Sequence, residues 1–210
     1  MIFETENLYH IYNQGNNRQS IFFSRENYLF FLRKMREYIL PCADILAWCL
    51  MPNHFHIMIY LHTFEMEVVG SEGFTPSEAF TKVTKQMKKR DFNASIGVML
   101  RSYTRAVNKQ KEMSGSLFRS STKAQCLTKR EGLTPTYFNT VFGTQINTHY
   151  QEQEYPQVCF NYIHLNPTRA NLVKNIDEWE FSSAIDYLGI RNGKLINKER
   201  LNEFGIKIEV

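Results

Sequence analysis

LAWCLMPNHFHIMIY, residues 46–60, holds two apolar runs on either side of Met51-Pro52-Asn53. Each run is short, and the proline with its polar neighbour breaks the chain between them, so the segment reads as a strand over 45–50, a turn, and a strand over 54–61. Upstream, residues 8–13 (LYHIYN) read as another strand, ended by a Gly-Asn-Asn turn at Gly15. Ser24 then reads as an N-cap with Asn27 at the capping-box position. Tyr28, Phe31, Leu32, Met35 and Ile39 follow at helical spacing up to Pro41.

Downstream, residues 63–77 mix glycines and acids without periodicity and read as a surface loop. A helix is expected from Pro76 into the lysine-rich TKQMKKR, and a second over 93–111 with Ile96, Met99, Leu100, Tyr103 and Val107 on one side. A short strand over 123–127 and helical stretches over 156–165 and 182–188 complete the order. Strand, helix, two strands, helices and a later strand predict an α+β fold, an antiparallel sheet with helices packed on one face. The expected organisation is a catalytic core over 1–130 and a C-terminal helical extension over 131–210 packed on it, a single domain overall.

A 43% hydrophobic and 22% charged composition over 210 residues is that of a globular chain with a real core. No apolar run spans a bilayer and the first residues do not resemble a secretory signal, so a cytoplasmic, nucleoid-associated protein is expected. Cys42, Cys49, Cys126 and Cys159 lack CxxC spacing, which argues for reduced thiols and against a zinc cluster. The net charge of +4 is unevenly spread. Residues 81–130 carry thirteen Lys and Arg against Asp91 and Glu112, whereas the remainder holds 12 basic and 19 acidic residues. Such a block suits a polyanion, although a charge run taken alone is better read as a solvated helical face.

The chemistry starts at His54-Phe55-His56. On a strand, residues two apart project from one side, so the two imidazoles stand together while Phe55 and Ile57 point to the core. That is half of a divalent-metal site, and the adjoining turn places it at a sheet end. Tyr103, flanked by Arg101 and Arg105, is either a core tyrosine or a nucleophile whose phenolate is favoured by positive charge.

The runs LAWCLMPNHFHIMIY, SYTRAVNKQKEMSGSLFR, YIHLNPTRANLV and EFSS, in this order and after the opening YHIYNQGNNRQSIF, resemble the REP-associated tyrosine transposases. These form part of the single-tyrosine branch of the HUH endonucleases, named for the His-hydrophobic-His triplet. The resemblance implies a ferredoxin-like core, Mg²⁺ or Mn²⁺ on the histidine pair, and a helix tyrosine that cuts single-stranded DNA beside a hairpin. The cut leaves a 5′-phosphotyrosine link and a free 3′-hydroxyl. Carried onto this chain, His54 and His56 become metal ligands and Tyr103 the nucleophile. Related insertion-sequence transposases place a polar ligand, often Gln, four residues after the tyrosine. Here that position is Val107. Asn108 is the nearest substitute, although on an ideal helix it points about 140° away from Tyr103, and Gln110 is a weaker one.

Expected DNA contacts are Asn13 and Arg18 in the polar loop, Lys89, Arg101 and Arg105 in the basic block, and Arg119 and Lys123 after the tyrosine helix. Tyr162–Arg169 reads as a helix end and turn, where His164 and Asn166 are preferred as structural hydrogen-bonding residues over a third metal group. The expected partner is single-stranded or hairpin DNA, bound by a monomer or homodimer. Three functions compete: a metal-dependent single-strand endonuclease and strand transferase, a domesticated hairpin-binding protein that no longer cleaves, and a hydrolase of small phosphoesters. Val107 supports the second. The third would need no basic block.

Overall fold

The computed structural model describes residues 2–69, 87–128, 136–140, 143–147 and 155–208. The chain forms β1 (Asn7–Gln14), α1 (Arg25–Tyr38), β2 (Ala43–Met51), β3 (His54–Leu61), β4 (Glu65–Val69), β5 (Met87–Asp91), α2 (Phe92–Lys111) and β6 (Lys123–Cys126). The hairpin β7 (Thr136–Thr140) and β8 (Gly143–Asn147) comes next, then α3 (Tyr155–Arg169), α4 (Ala184–Tyr187) and α5 (Lys198–Glu203). The main sheet runs β2-β3-β1-β6 and is antiparallel throughout. With β4 and β5 set aside as a hairpin of their own, this is the β-α-β-β-α-β ferredoxin-like order.

Alternation along β3 assigns the two faces. Phe55, Ile57, Ile59 and Leu61 join Phe31 and Met35 of α1 and Ile96, Met99 and Tyr103 of α2 in one core. Met58, with Leu46, Ala47 and Cys49 of β2, joins Cys159, Phe160 and Ile163 of α3 in a second core on the opposite face. Both faces are therefore covered: α1 and α2 lie on one, and the C-terminal helices on the other. The C-terminal segment also caps the β2 edge, where Leu50 N–H donates to Phe181 O and Asn197 N–H to Ile45 O. All four cysteines are free. No helix among the described residues is long and apolar enough to cross a membrane.

Three local expectations are corrected, the first being that residues 65–69, expected within a surface loop, form strand β4. The lysine-rich end of TKQMKKR is strand β5 rather than helix, because it pairs antiparallel with β4 and sets Lys88 and Lys89 opposite Val68 and Glu67. Lys89 also forms a 3.0 Å ion pair with Glu65. Residues 76–86 lie outside the described residues. At the other end of the chain, α3 continues through Pro167 to Arg169 instead of ending near Leu165.

Candidate metal and nucleophile site

Tyr103 does not meet the histidines. Its side chain is fully buried on the α1/α2 face, among Phe22, Phe30, Phe31 and Phe118. Its hydroxyl donates to Ile21 O at 2.7 Å, and burial raises its pKa further above that of an ordinary tyrosine. His54 and His56 leave β3 on the other face, so the sheet itself stands between this phenol and the imidazole pair. Asn108 is corrected with it: its amide donates to Gly115 O at 2.9 Å and closes the turn after α2. Gln110 is engaged by the Asn27 amide at 2.7 Å.

Two phenols do lie against the pair: Tyr12 of β1, 5.8 Å from His56 between centroids, and Tyr162 of α3. Tyr162 forms a T-shaped pair with His56, 5.2 Å between centroids. One turn on, Asn166 Oδ1 lies 3.2 Å from His54 Nε2. The spacing of four brings tyrosine and amide to one side of the helix. His54 and His56 are 5.1 Å apart, ring to ring. On the neighbouring strand, Tyr12 pairs opposite His56 and Gln14 opposite His54. His10, one pair further along β1, stacks on His56 at 5.0 Å and places Nε2 2.9 Å from His56 Nδ1.

The electrostatics keep these imidazoles neutral, the state in which a nitrogen can ligate a metal. Burial lowers the pKa of His54, against a smaller opposing effect of Asn166. Burial lowers His56 well below the usual histidine value, helped by His10 and His54. His10 falls to about 3, again by burial. For Tyr162, burial raises the pKa, while the Asn166 side chain and the Arg169 guanidinium act the other way. That guanidinium lies 5.7 Å from the Tyr162 ring centroid.

The donor set fits a divalent cation. Among the described residues no three of His, Cys, Asp and Glu converge, so a third donor would be the Asn166 amide oxygen. A neutral imidazole carries one proton, yet both nitrogens of His54 face amide oxygens, Asn53 Oδ1 at 2.6 Å and Asn166 Oδ1 at 3.2 Å. One lone pair therefore points at an oxygen. Asn166 is buried, with Oδ1 toward His54 and its side chain acting on the Tyr162 phenol. A separation of 3.2 Å is close to that of adjacent ligands around an octahedral Mg²⁺, about 3 Å for bonds of about 2.1 Å.

The expected DNA contacts divide between the two layers. Asn13 is corrected: it is buried and its Nδ2 donates to Arg119 O at 3.2 Å and Thr122 Oγ1 at 2.9 Å. Lys89, Arg101 and Arg105 belong to β5 and α2, in the layer opposite the histidines. Arg18 is exposed on the turn after β1. Arg119, also exposed, follows that turn by donating its backbone N–H to Gln14 O. Lys123 is exposed and pairs opposite Tyr12, on the histidine face of the sheet. His164 has a structural place. Ser183 Oγ donates to Trp48 O at 3.2 Å and so accepts from His164 Nε2–H at 2.7 Å.

The sequence did not point to Tyr162, Asn166 or His10 as neighbours of the histidine pair. A signal for the first two was nevertheless present, since Tyr162 and Asn166 carry the tyrosine-plus-four polar spacing that Tyr103 lacks. No family model matches the chain, and no curated protein does. Among solved structures, it is similar to a REP-associated tyrosine transposase bound to a REP hairpin, with a TM-score of 0.52 and 14% identity over 90% of this chain and 83% of that one. The likeness is one of fold.

Proposed function

We propose that this protein is a metal-dependent endonuclease and strand transferase for single-stranded DNA beside hairpins, with Tyr162 as its nucleophile. The observation that carries this reading is the convergence of Tyr162 and Asn166, one helical turn apart, on the His54–His56 pair. His54, His56 and Asn166 would hold Mg²⁺ or Mn²⁺. Bound there, the cation supplies positive charge that polarises the scissile phosphate. The Tyr162 oxygen attacks phosphorus as its proton passes to solvent, and the bond from phosphorus to the 3′ oxygen breaks as that oxygen takes a proton from solvent. The products are a 5′-phosphotyrosine and a 3′-hydroxyl, whose reverse attack rejoins the strand. Arg169 and Lys123 lie where a phosphate backbone would approach the site. The fold shared with a hairpin-bound transposase supports the same substrate class.

The non-cleaving alternative drew its support from Val107. That support falls away once the nucleophile is Tyr162, because the residue four further on is Asn166. The deciding experiment is trapping on a hairpin-bearing suicide oligonucleotide with Mn²⁺. A covalent adduct is expected from the wild type and from Tyr103→Phe, and none from Tyr162→Phe. An adduct that survives Tyr162→Phe refutes the assignment, and no adduct from the wild type returns the protein to the binding-only class.

A further inference from the structure

The turn at Asn53 is wired to His54 in a way that the proposed chemistry does not by itself require. Asn53 Nδ2 donates to Arg18 O at 3.2 Å, and Asn53 Oδ1 lies 2.6 Å from His54 Nδ1. The carbonyl of Arg18 can only accept, so it fixes which end of the Asn53 amide faces it. Turning the amide over would set two oxygens face to face there. Asn53 Oδ1 is thereby held toward His54 and can only accept in turn. The single proton of the neutral imidazole must sit on Nδ1, and Nε2 is left with its lone pair directed at Asn166 Oδ1.

The Arg18 carbonyl is itself held in place. Asn17 and Arg18 adopt left-handed backbone conformations, φ 51° and 59°, which non-glycine residues take up only where surrounding contacts compensate. Those contacts are present. Gly15 N–H donates to Asn53 O at 2.7 Å, and Ile21 N–H and Phe22 N–H donate to Pro52 O. A Cβ on Gly15 would lie 2.1 Å from Gln19 O, so only glycine permits so tight a turn.

We infer that Asn53 is a positioning residue for the metal centre: oriented by the Arg18 carbonyl, it sets the His54 tautomer so that Nε2 is free to ligate. This rests on the site proposed above and adds to it the group that prepares one ligand before any cation arrives. Orienting partners of this kind are worth roughly 10–100-fold in metal affinity.

A long-range nitrogen–proton NMR spectrum of the metal-free protein reads the tautomer directly, the His54 signal being identified by its loss in His54→Ala. Protonation at Nδ1 is expected, and protonation at Nε2 overturns the inference. In Mn²⁺ titrations, Asn53→Leu should bind about 10–100-fold more weakly. Asn53→Asp, whose carboxylate still accepts from Nδ1–H, should keep the Nδ1 tautomer, although it sets a second oxygen against the Arg18 carbonyl. An Asn53→Leu protein with the wild-type tautomer and affinity overturns the inference while His54→Ala and Asn166→Ala still lose Mn²⁺, which leaves the site itself standing. If those two variants keep wild-type affinity, the site and the inference fall together.

Discussion

Three buried imidazoles and a partly buried one, His54, give this protein an unusual exposure to acid. His10 and His164 are each held near a pKa of about 3 by burial, and His54 and His56 are lowered for the same reason. In the unfolded chain each returns to about 6.5. Between those values the unfolded state binds more protons than the folded one, so stability rises with pH and is lost as the pH falls from about 6.5 toward 3. Each fully buried histidine adds at most about 1.4 kcal/mol per pH unit to that slope. Thermal melts from pH 7 to 4 should show a steep fall in Tm. In His164→Gln, which removes one titrating ring bonded to Ser183 and not to the proposed ligands, the fall should be shallower. An equal slope would mean that His164 is already charged in the folded protein. Tyr103 makes a separate point at this scale. Removing its hydroxyl leaves Ile21 O without its buried donor, at a cost of about 1–3 kcal/mol. Its effect should appear in denaturant melts and not in adduct formation.

At the scale of elements, what decides the site is the side of the sheet on which each helix lies. β1 and β2 are both antiparallel to β3 and so parallel to each other, and β3 and β6 are related in the same way through β1. Right-handed crossovers then put α1 and α2 on one face. The sequence pattern already held the consequence. Phe55, Ile57 and Ile59 alternate with the histidines, so the apolar face must be the one under α1 and α2, and a tyrosine on α2 is on the wrong side for His54 and His56. The strands, both central helices and the histidine pair were legible because each is a local periodicity. The pairing of β4 with β5 was not, because it joins segments separated by about seventeen residues and a lysine-rich run also suits a helix. The place of α3 was obscured by its weak amphipathicity and by Pro167, which suggests an earlier helix end. Its seat on the sheet nevertheless carries both Tyr162 and Asn166. Phe160→Ala, emptying a fully buried position under α3, should cost about 3–5 kcal/mol and also weaken Mn²⁺ binding and adduct formation below its melting temperature. Phe31→Ala, equally buried under α1, should lose similar stability and keep Mn²⁺ affinity. Parallel melts and Mn²⁺ titrations of the two variants distinguish a seat for the site from general packing.

Over the whole molecule, the proposed ligands and nucleophile all come from one chain, so a monomer holds a complete set. The charge distribution bears on how DNA would approach it. The basic block that stands out in the sequence is split by the fold: Lys89, Arg101 and Arg105 lie in the α2 layer, whereas Lys123 pairs opposite Tyr12 on the histidine face. Arg119 hangs from the end of β1, and Arg169 lies over Tyr162. A single strand that delivers its phosphate to Tyr162 must pass the second group, and reaches the first only by wrapping around the sheet. Each phosphate neutralised on a single strand contributes about −0.7 to the slope of log affinity against log salt. Lys123→Glu and Arg169→Glu should each weaken hairpin-DNA binding at low salt and make that slope shallower by about that amount. Arg101→Glu and Arg105→Glu should leave the slope within error of wild type. Titrations of a labelled hairpin with a single-stranded flank, at several salt concentrations, measure both quantities. A slope that responds to Arg101 and Arg105 but not to Lys123 and Arg169 would place the DNA on the α2 layer, away from Tyr162, and would leave the basic block with a binding role separate from the histidine site.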